Sequence, residues 1–130
     1  MKLLLLARAG DLQALAAEFN SDFEIENATD APAALSMLAR RQHDALVVHL
    51  GIGADPALDV LHGARKQAPD RPPGMVVVAE SVELHLVVEV MRAGAYDVLL
   101  TAALQQGQLA HSVRNATLLT QLRRRTSPAK

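Results

Sequence analysis

Asp44-Ala45-Leu46-Val47-Val48-His49-Leu50, followed at once by Gly51-Ile52-Gly53, decides how this chain folds. An apolar run this short, closed by turn residues, makes a strand buried on both faces, as in a parallel sheet. In such sheets the chemistry gathers beyond the carboxyl ends of the strands, and His49 stands at that end here. The same signature recurs on either side. Leu3 to Leu6 is continuously apolar and predicts a strand over residues 2–7; Met75-Val76-Val77-Val78 predicts another. Val98-Leu99-Leu100, within 96–100, is the last. Phe23, Ile25 and Asn27 alternate with Glu24 and Glu26, the pattern of an edge strand with one wet face.

Helical spacing fills the intervals. Asp11 is a candidate cap for a helix carrying Leu12, Leu15, Ala16 and Phe19. Thr29-Asp30-Ala31-Pro32 starts a second helix, with Ala34, Leu35, Leu38 and Ala39 as its stripe and Arg40-Arg41 at its negative end. Asp55-Pro56 starts a third, burying Leu58, Val60, Leu61 and Ala64. Gln67 to Gly74, with its prolines, is a loop. Ser81 is the candidate cap of a fourth helix carrying Leu84, Val87, Val88 and Met91, which Gly94 ends. The fifth begins near Gln105 and carries Leu109, Val113, Ala116 and Leu119. Repeated strand and helix with short connections predict an α/β domain with right-handed crossovers. The expected architecture is a three-layer flavodoxin-like (βα)5 fold with a five-stranded parallel sheet, order 2-1-3-4-5. It spans residues 1–125, and 126–130 is the start of a linker or tail.

Composition narrows the function. The 130 residues suit one core, and a net charge of −1 gives no field to recruit nucleic acid or a membrane. Three aromatic residues, Phe19, Phe23 and Tyr96, offer little for stacking single-stranded bases. With no cysteine there is no disulfide, thiol nucleophile or thiolate metal site. The apolar start at Leu3 to Leu6 is too short for a signal-peptide core, and Arg8 and Asp11 break its apolar character. A cytoplasmic protein is expected.

Met91-Arg92-Ala93-Gly94-Ala95-Tyr96-Asp97-Val98-Leu99-Leu100 carries the most specific likeness. With the strand at Asp44 to Leu50, it resembles the receiver (CheY-like) domain of bacterial response regulators over residues 2–125. The resemblance implies an acidic pair after the first strand and an acceptor aspartate after the third, together holding Mg²⁺. It also implies a hydroxyl after the fourth strand and a lysine after the fifth. In this chain the acidic pair falls at Ala7 and Arg8, the acceptor at His49, the hydroxyl at Ala79 and the lysine at Thr101. Every position departs from the pattern, so the resemblance is to a degenerate receiver, a pseudo-receiver. Without carboxylates there, Mg²⁺ is not neutralised, Arg8 repels it, and phosphoryl transfer loses its charge stabilisation. The expectation is no enzyme, no cofactor, no metal and no aspartyl phosphorylation; a conventional phosphoacceptor would need another acid, such as Asp44 or Asp55.

Other readings are bounded the same way. Arg8, His49 and Thr101 converge at one sheet edge and could bind an anion; the plainer reading pairs Arg8 with Asp11 or Glu80 and leaves His49 packed and hydrogen-bonded. A phosphorylated His49 is disfavoured because it ends a strand. The five histidines are scattered, with His62 and His85 on helix surfaces, so no metal site is expected. Gly51-Ile52-Gly53 lacks the spacing of a phosphate cradle, and no serine has a nucleophile setting. Arg123-Arg124-Arg125 suits a helix end better than nucleic acid or lipid. The likeness to receivers also implies a dimer face from the fourth helix, fifth strand and fifth helix: Leu84, Val88, Met91, Tyr96, Asp97, Val113, Leu119 and Leu122. The expected function is a phosphorylation-independent interaction module. Its partner is another protein, a homodimer mate or a covalently linked output domain in a larger bacterial signalling protein. The alternative context is an atypical receiver of a pilus-assembly protein with a MinD-like ATPase, acting in localisation.

Overall fold

The structure, a computed structural model, describes residues 1–126, with side chains through Leu122. Of the expected tail at 126–130, residues 127–130 lie outside the described residues, as do the side chains of residues 123–126. Strands β1 (Lys2–Leu6), β2 (Glu24–Ala28), β3 (Ala45–His49), β4 (Gly74–Ala79) and β5 (Asp97–Leu100) alternate with helices. These are α1 (Ala9–Ala16), α2 (Ala31–Leu38), α3 (Ala54–Gln67), α4 (Leu84–Arg92) and α5 (Gln108–Thr126). All strand pairs are parallel and the order is β2-β1-β3-β4-β5, as expected.

Strand alternation divides the core into two layers. Leu4, Leu6, Leu46, Val48 and Val77 face α2, α3 and α4, meeting Ala34, Val60, Leu61 and Val90. Leu3, Leu5, Val47, Val76 and Val78 face α1 and α5, meeting Leu15, Leu109, Val113 and Ala116. Strands β1, β3 and β4 are covered on both sides, which is why they read as unbroken apolar runs. Edge strand β2 keeps Glu24 exposed.

Asp30 caps α2 as expected, its Oδ1 accepting from the Ala33 N–H at 2.8 Å. The other caps differ. Helix α1 begins two residues before Asp11, so Asp11 lies in its first turn. Helix α3 follows Gly53 (φ 110°), which places Asp55 and Pro56 inside the first turn. Helix α4 starts at Leu84 after Glu83, leaving Ser81 upstream. Helix α5 starts at Gln108 because a 3-10 turn over Thr101–Ala103 and Gly107 (φ 80°) intervene. The Gln108 Oε1 accepts from the Gln105 N–H at 3.0 Å and closes that entry. The stripe on α4 is also rotated: Val90 is buried, while Leu84, Val88 and Met91 point outward.

Candidate functional site

The carboxyl edge of the sheet collects the ends of β1, β3, β4 and β5. Ala7 and Ala79 are buried there, His49 is 3% exposed, and Thr101 is half-buried at the start of its 3-10 turn. Chain direction sets the rest. After Leu6, only Ala7 and Arg8 separate β1 from α1, so Arg8 becomes the residue that caps the helix. Its Nε donates to the Asp11 Oδ2 at 3.0 Å, one turn on.

His49 is held from the other side. The 3-10 turn Leu50–Ile52 folds back so that the Gly51 N–H donates to the His49 Nδ1 at 2.9 Å. That bond makes Nδ1 the acceptor and assigns the neutral ring's proton to Nε2. The Asp11 Oδ2 lies 3.9 Å from Nδ1, too far for a hydrogen bond, and with Nδ1 unprotonated the approach is no ion pair; Arg8 is what holds Asp11 beside the ring. Gly51 fits because it has no side chain: a Cβ there would stand 2.8 Å from the His49 Nδ1 and 2.9 Å from the Arg8 Nε. Arg8, Asp11, His49 and Gly51 thus form one knot. Thr101 makes no hydrogen bond to Arg8 or His49 among the described residues. Arg8 spends its charge on Asp11, the plainer of the two readings.

The spare acids are elsewhere. Asp44 lies at the opposite, amino edge, where its Oδ2 accepts from the Lys2 N–H at 2.8 Å. Asp55 is exposed in the first turn of α3. No group of three or more His, Asp or Glu placed to hold a metal occurs among the described residues. Sequence reasoning missed one polar cluster altogether, of which only the His43 side chain is buried. The His43 Nε2 lies 2.6 Å from the Glu26 Oε1, which also accepts from the Arg40 Nη2 at 2.7 Å. Glu26 comes from β2, Arg40 and His43 from the α2–β3 connection, and no spacing rule links them.

A second feature lies on the α4–β5–α5 side. Leu84 is 78% and Leu118 53% exposed, and Val88, Met91, Tyr96 and Leu122 are also exposed. Val113 is fully buried against the sheet, so it does not belong to the expected dimer face. Leu119 is half-buried, and Asp97 is occupied by its neighbour Val98 N–H at 2.9 Å and the Ser112 hydroxyl at 3.3 Å. A groove of about 1160 Å³ runs beside this face, lined by Arg65, Pro69, Met91, Arg92, Tyr96 and Leu119 among others. Among the described residues no helix is long and apolar enough to cross a membrane.

No family model and no curated protein matches the chain. Solved structures do match. NtrX from Brucella abortus, determined in complex with ADP, is 24% identical with a TM-score of 0.78, over 97% of this chain and 28% of NtrX. The signal receiver domain of an HD domain-containing protein from Pseudomonas fluorescens is 21% identical (TM-score 0.78; 93% and 97% covered). The receiver domain of a sensor histidine kinase from Pseudomonas aeruginosa, with magnesium coordinated in its active-site cleft, is 15% identical (TM-score 0.74; 89% and 96% covered). The fold is therefore that of the response-regulator receivers. The chain spans about a quarter of NtrX and nearly the whole of the other two.

Proposed function

We propose that this chain is a degenerate receiver, a phosphorylation-independent signalling module that acts through protein contact. It sits ahead of an output domain in a larger bacterial signal-transduction protein, and it catalyses no reaction of its own. The observation that carries this reading is the Arg8–Asp11–His49 knot at the carboxyl edge. A hard divalent cation needs several anionic oxygens. The carboxylate nearest His49 is paired with a guanidinium at 3.0 Å, and that guanidinium opposes a cation at the same place. The His49 Nδ1 lone pair already receives the Gly51 N–H, so it is not free to take a phosphoryl group. Ala79 has no hydroxyl to draw a loop toward a phosphate. What is left for function is surface: the exposed apolar residues of α4 and α5 beside a mixed apolar and basic groove.

The competing reading is a self-phosphorylating regulator using Asp44 or Asp55. Incubation with acetyl phosphate and Mg²⁺, followed by intact-mass measurement, separates the two. The expected outcome is no gain of a phosphoryl group and no magnesium-dependent shift in amide spectra with beryllium fluoride. A stoichiometric gain mapped to either aspartate overturns the proposal.

A further inference from the structure

The groove of about 1160 Å³ opens at the amino edge of the sheet, between the last turn of α3, the α4–β5 turn and α5. Its floor is apolar: Met75, Ala95 and Ala116 are buried there and Leu119 is half-buried. Its rim is basic. Arg65, Lys66 and Arg92 are exposed in the last turns of α3 and α4, where the helix dipoles favour cations. Asp70 is the one carboxylate among the lining residues, and Arg41 meets it at 3.4 Å. Arg65 is held in place, its Nη1 donating to the Arg92 carbonyl oxygen at 3.0 Å. Gly94 (φ 117°) allows that reach, since a Cβ there would stand 2.5 Å from the Arg65 Cδ. Lys66 and the Arg92 guanidinium make no hydrogen bond or ion pair among the described residues. The space exceeds the roughly 300–1,000 Å³ of a small-ligand pocket, so it suits a segment of polypeptide. That segment is acidic, because pairing groove with groove would set these cations against themselves.

We propose that the groove receives Glu80-Ser81-Val82-Glu83-Leu84 of a second copy, so that copies associate head to tail along the strand direction. This rests on the contact role proposed above and names a partner for it. The segment complements the groove. Leu84 is 78% exposed, more than any other large apolar side chain among the described residues. Glu80 and Glu83 flank it and are exposed. Glu80 makes no hydrogen bond or ion pair among the described residues, and Glu83 makes only an exposed 3.2 Å contact with His85. Arg8, a cation at the same edge, is taken by Asp11. Leu84 supplies an apolar anchor for the floor, and the two glutamates meet Lys66 and Arg92 at the rim. The two surfaces do not meet within one chain. Gly74 and Met75 of the groove begin β4, and Glu80 follows its last residue, Ala79, about 20 Å away at the usual strand rise. A contact between two different patches is heterologous, and it adds copies until a rotation closes the ring.

The test follows the solution mass of the whole chain against concentration by sedimentation. The wild type is expected to grow past two copies, and to associate about tenfold more weakly at about 0.5 M salt than at about 0.05 M, because exposed charge pairs are screened. Lys66→Glu with Arg92→Glu reverses the groove, and Glu80→Lys with Glu83→Lys reverses the segment. All four positions are exposed, so each double variant keeps its melting temperature and stays monomeric. Mixed in equal amounts, the two variants match groove to segment again, and growth returns in the mixture alone. A wild type that stays monomeric up to about 1 mM overturns the proposal. So does growth that survives either reversal, or a mixture of the two variants that stops at one or two copies. None of these outcomes touches phosphoryl transfer, which the acetyl phosphate experiment decides separately.

Discussion

At Gly51 one added methyl group meets two functional side chains at once. The His49 ring is packed and cannot withdraw; the Arg8 side chain can. Gly51→Ala is expected to destabilise the fold by about 1–3 kcal/mol, measured by urea unfolding, while breaking the Arg8–Asp11 contact. Glu26 gives a pH-dependent counterpart. Its hydrogen bond with His43, and then that with Arg40, hold its carboxyl below the ordinary glutamate range. The unfolded chain therefore binds this proton more readily than the folded one, and stability rises with pH through that window. Stability from Glu26 is present above the ordinary glutamate range and is lost as the medium becomes more acidic. Glu26→Gln is expected to flatten that part of the acid-unfolding curve. The sequence makes the Arg8–Asp11 pair visible because the two lie three positions apart at a helix start. It hides the His43–Glu26 pair because sheet pairing and the α2–β3 turn join residues 17 apart.

Individual elements have their own weak points. Asp30→Ala removes the one side-chain cap that the sequence marks plainly, and about 1 kcal/mol of stability should go with it. Gly74 is a harsher case. A Cβ there would lie 2.6 Å from the Thr117 backbone nitrogen and 2.7 Å from the Ala116 carbonyl carbon, so α5 must lift off β4. Gly74→Ala is expected to cost about 3 kcal/mol, at the upper end for overpacking, seen as a lowered Tm. The strands are legible because burial on both faces demands apolar runs. The helix starts at Asp11, Asp55 and Ser81 are misplaced because short connections, rather than capping side chains, fix where those helices begin. On α4 both faces carry apolar residues, so spacing alone does not fix which one turns inward.

For the molecule as a whole, fold and topology follow from five repeats of one unit, and the same regularity is blind to what the edges do. The exposed face of α4 and α5 is where association would show. Leu84→Glu combined with Leu118→Glu is expected to leave thermal stability nearly unchanged while abolishing any concentration-dependent rise in solution mass. A wild-type chain that stays monomeric at high concentration and meets no partner through this face would remove the contact role assigned to it. The division of helices between the two layers also sets a timetable. Helices α2, α3 and α4 emerge from the ribosome with the strands they cover, whereas the other face waits for α5, the final element of this fold. Until then Val47, Val76 and Val78 have only α1 on their side of the sheet. Nascent chains thus keep this face uncovered until α5 has been made and has emerged, which makes that interval the one of greatest exposure to aggregation.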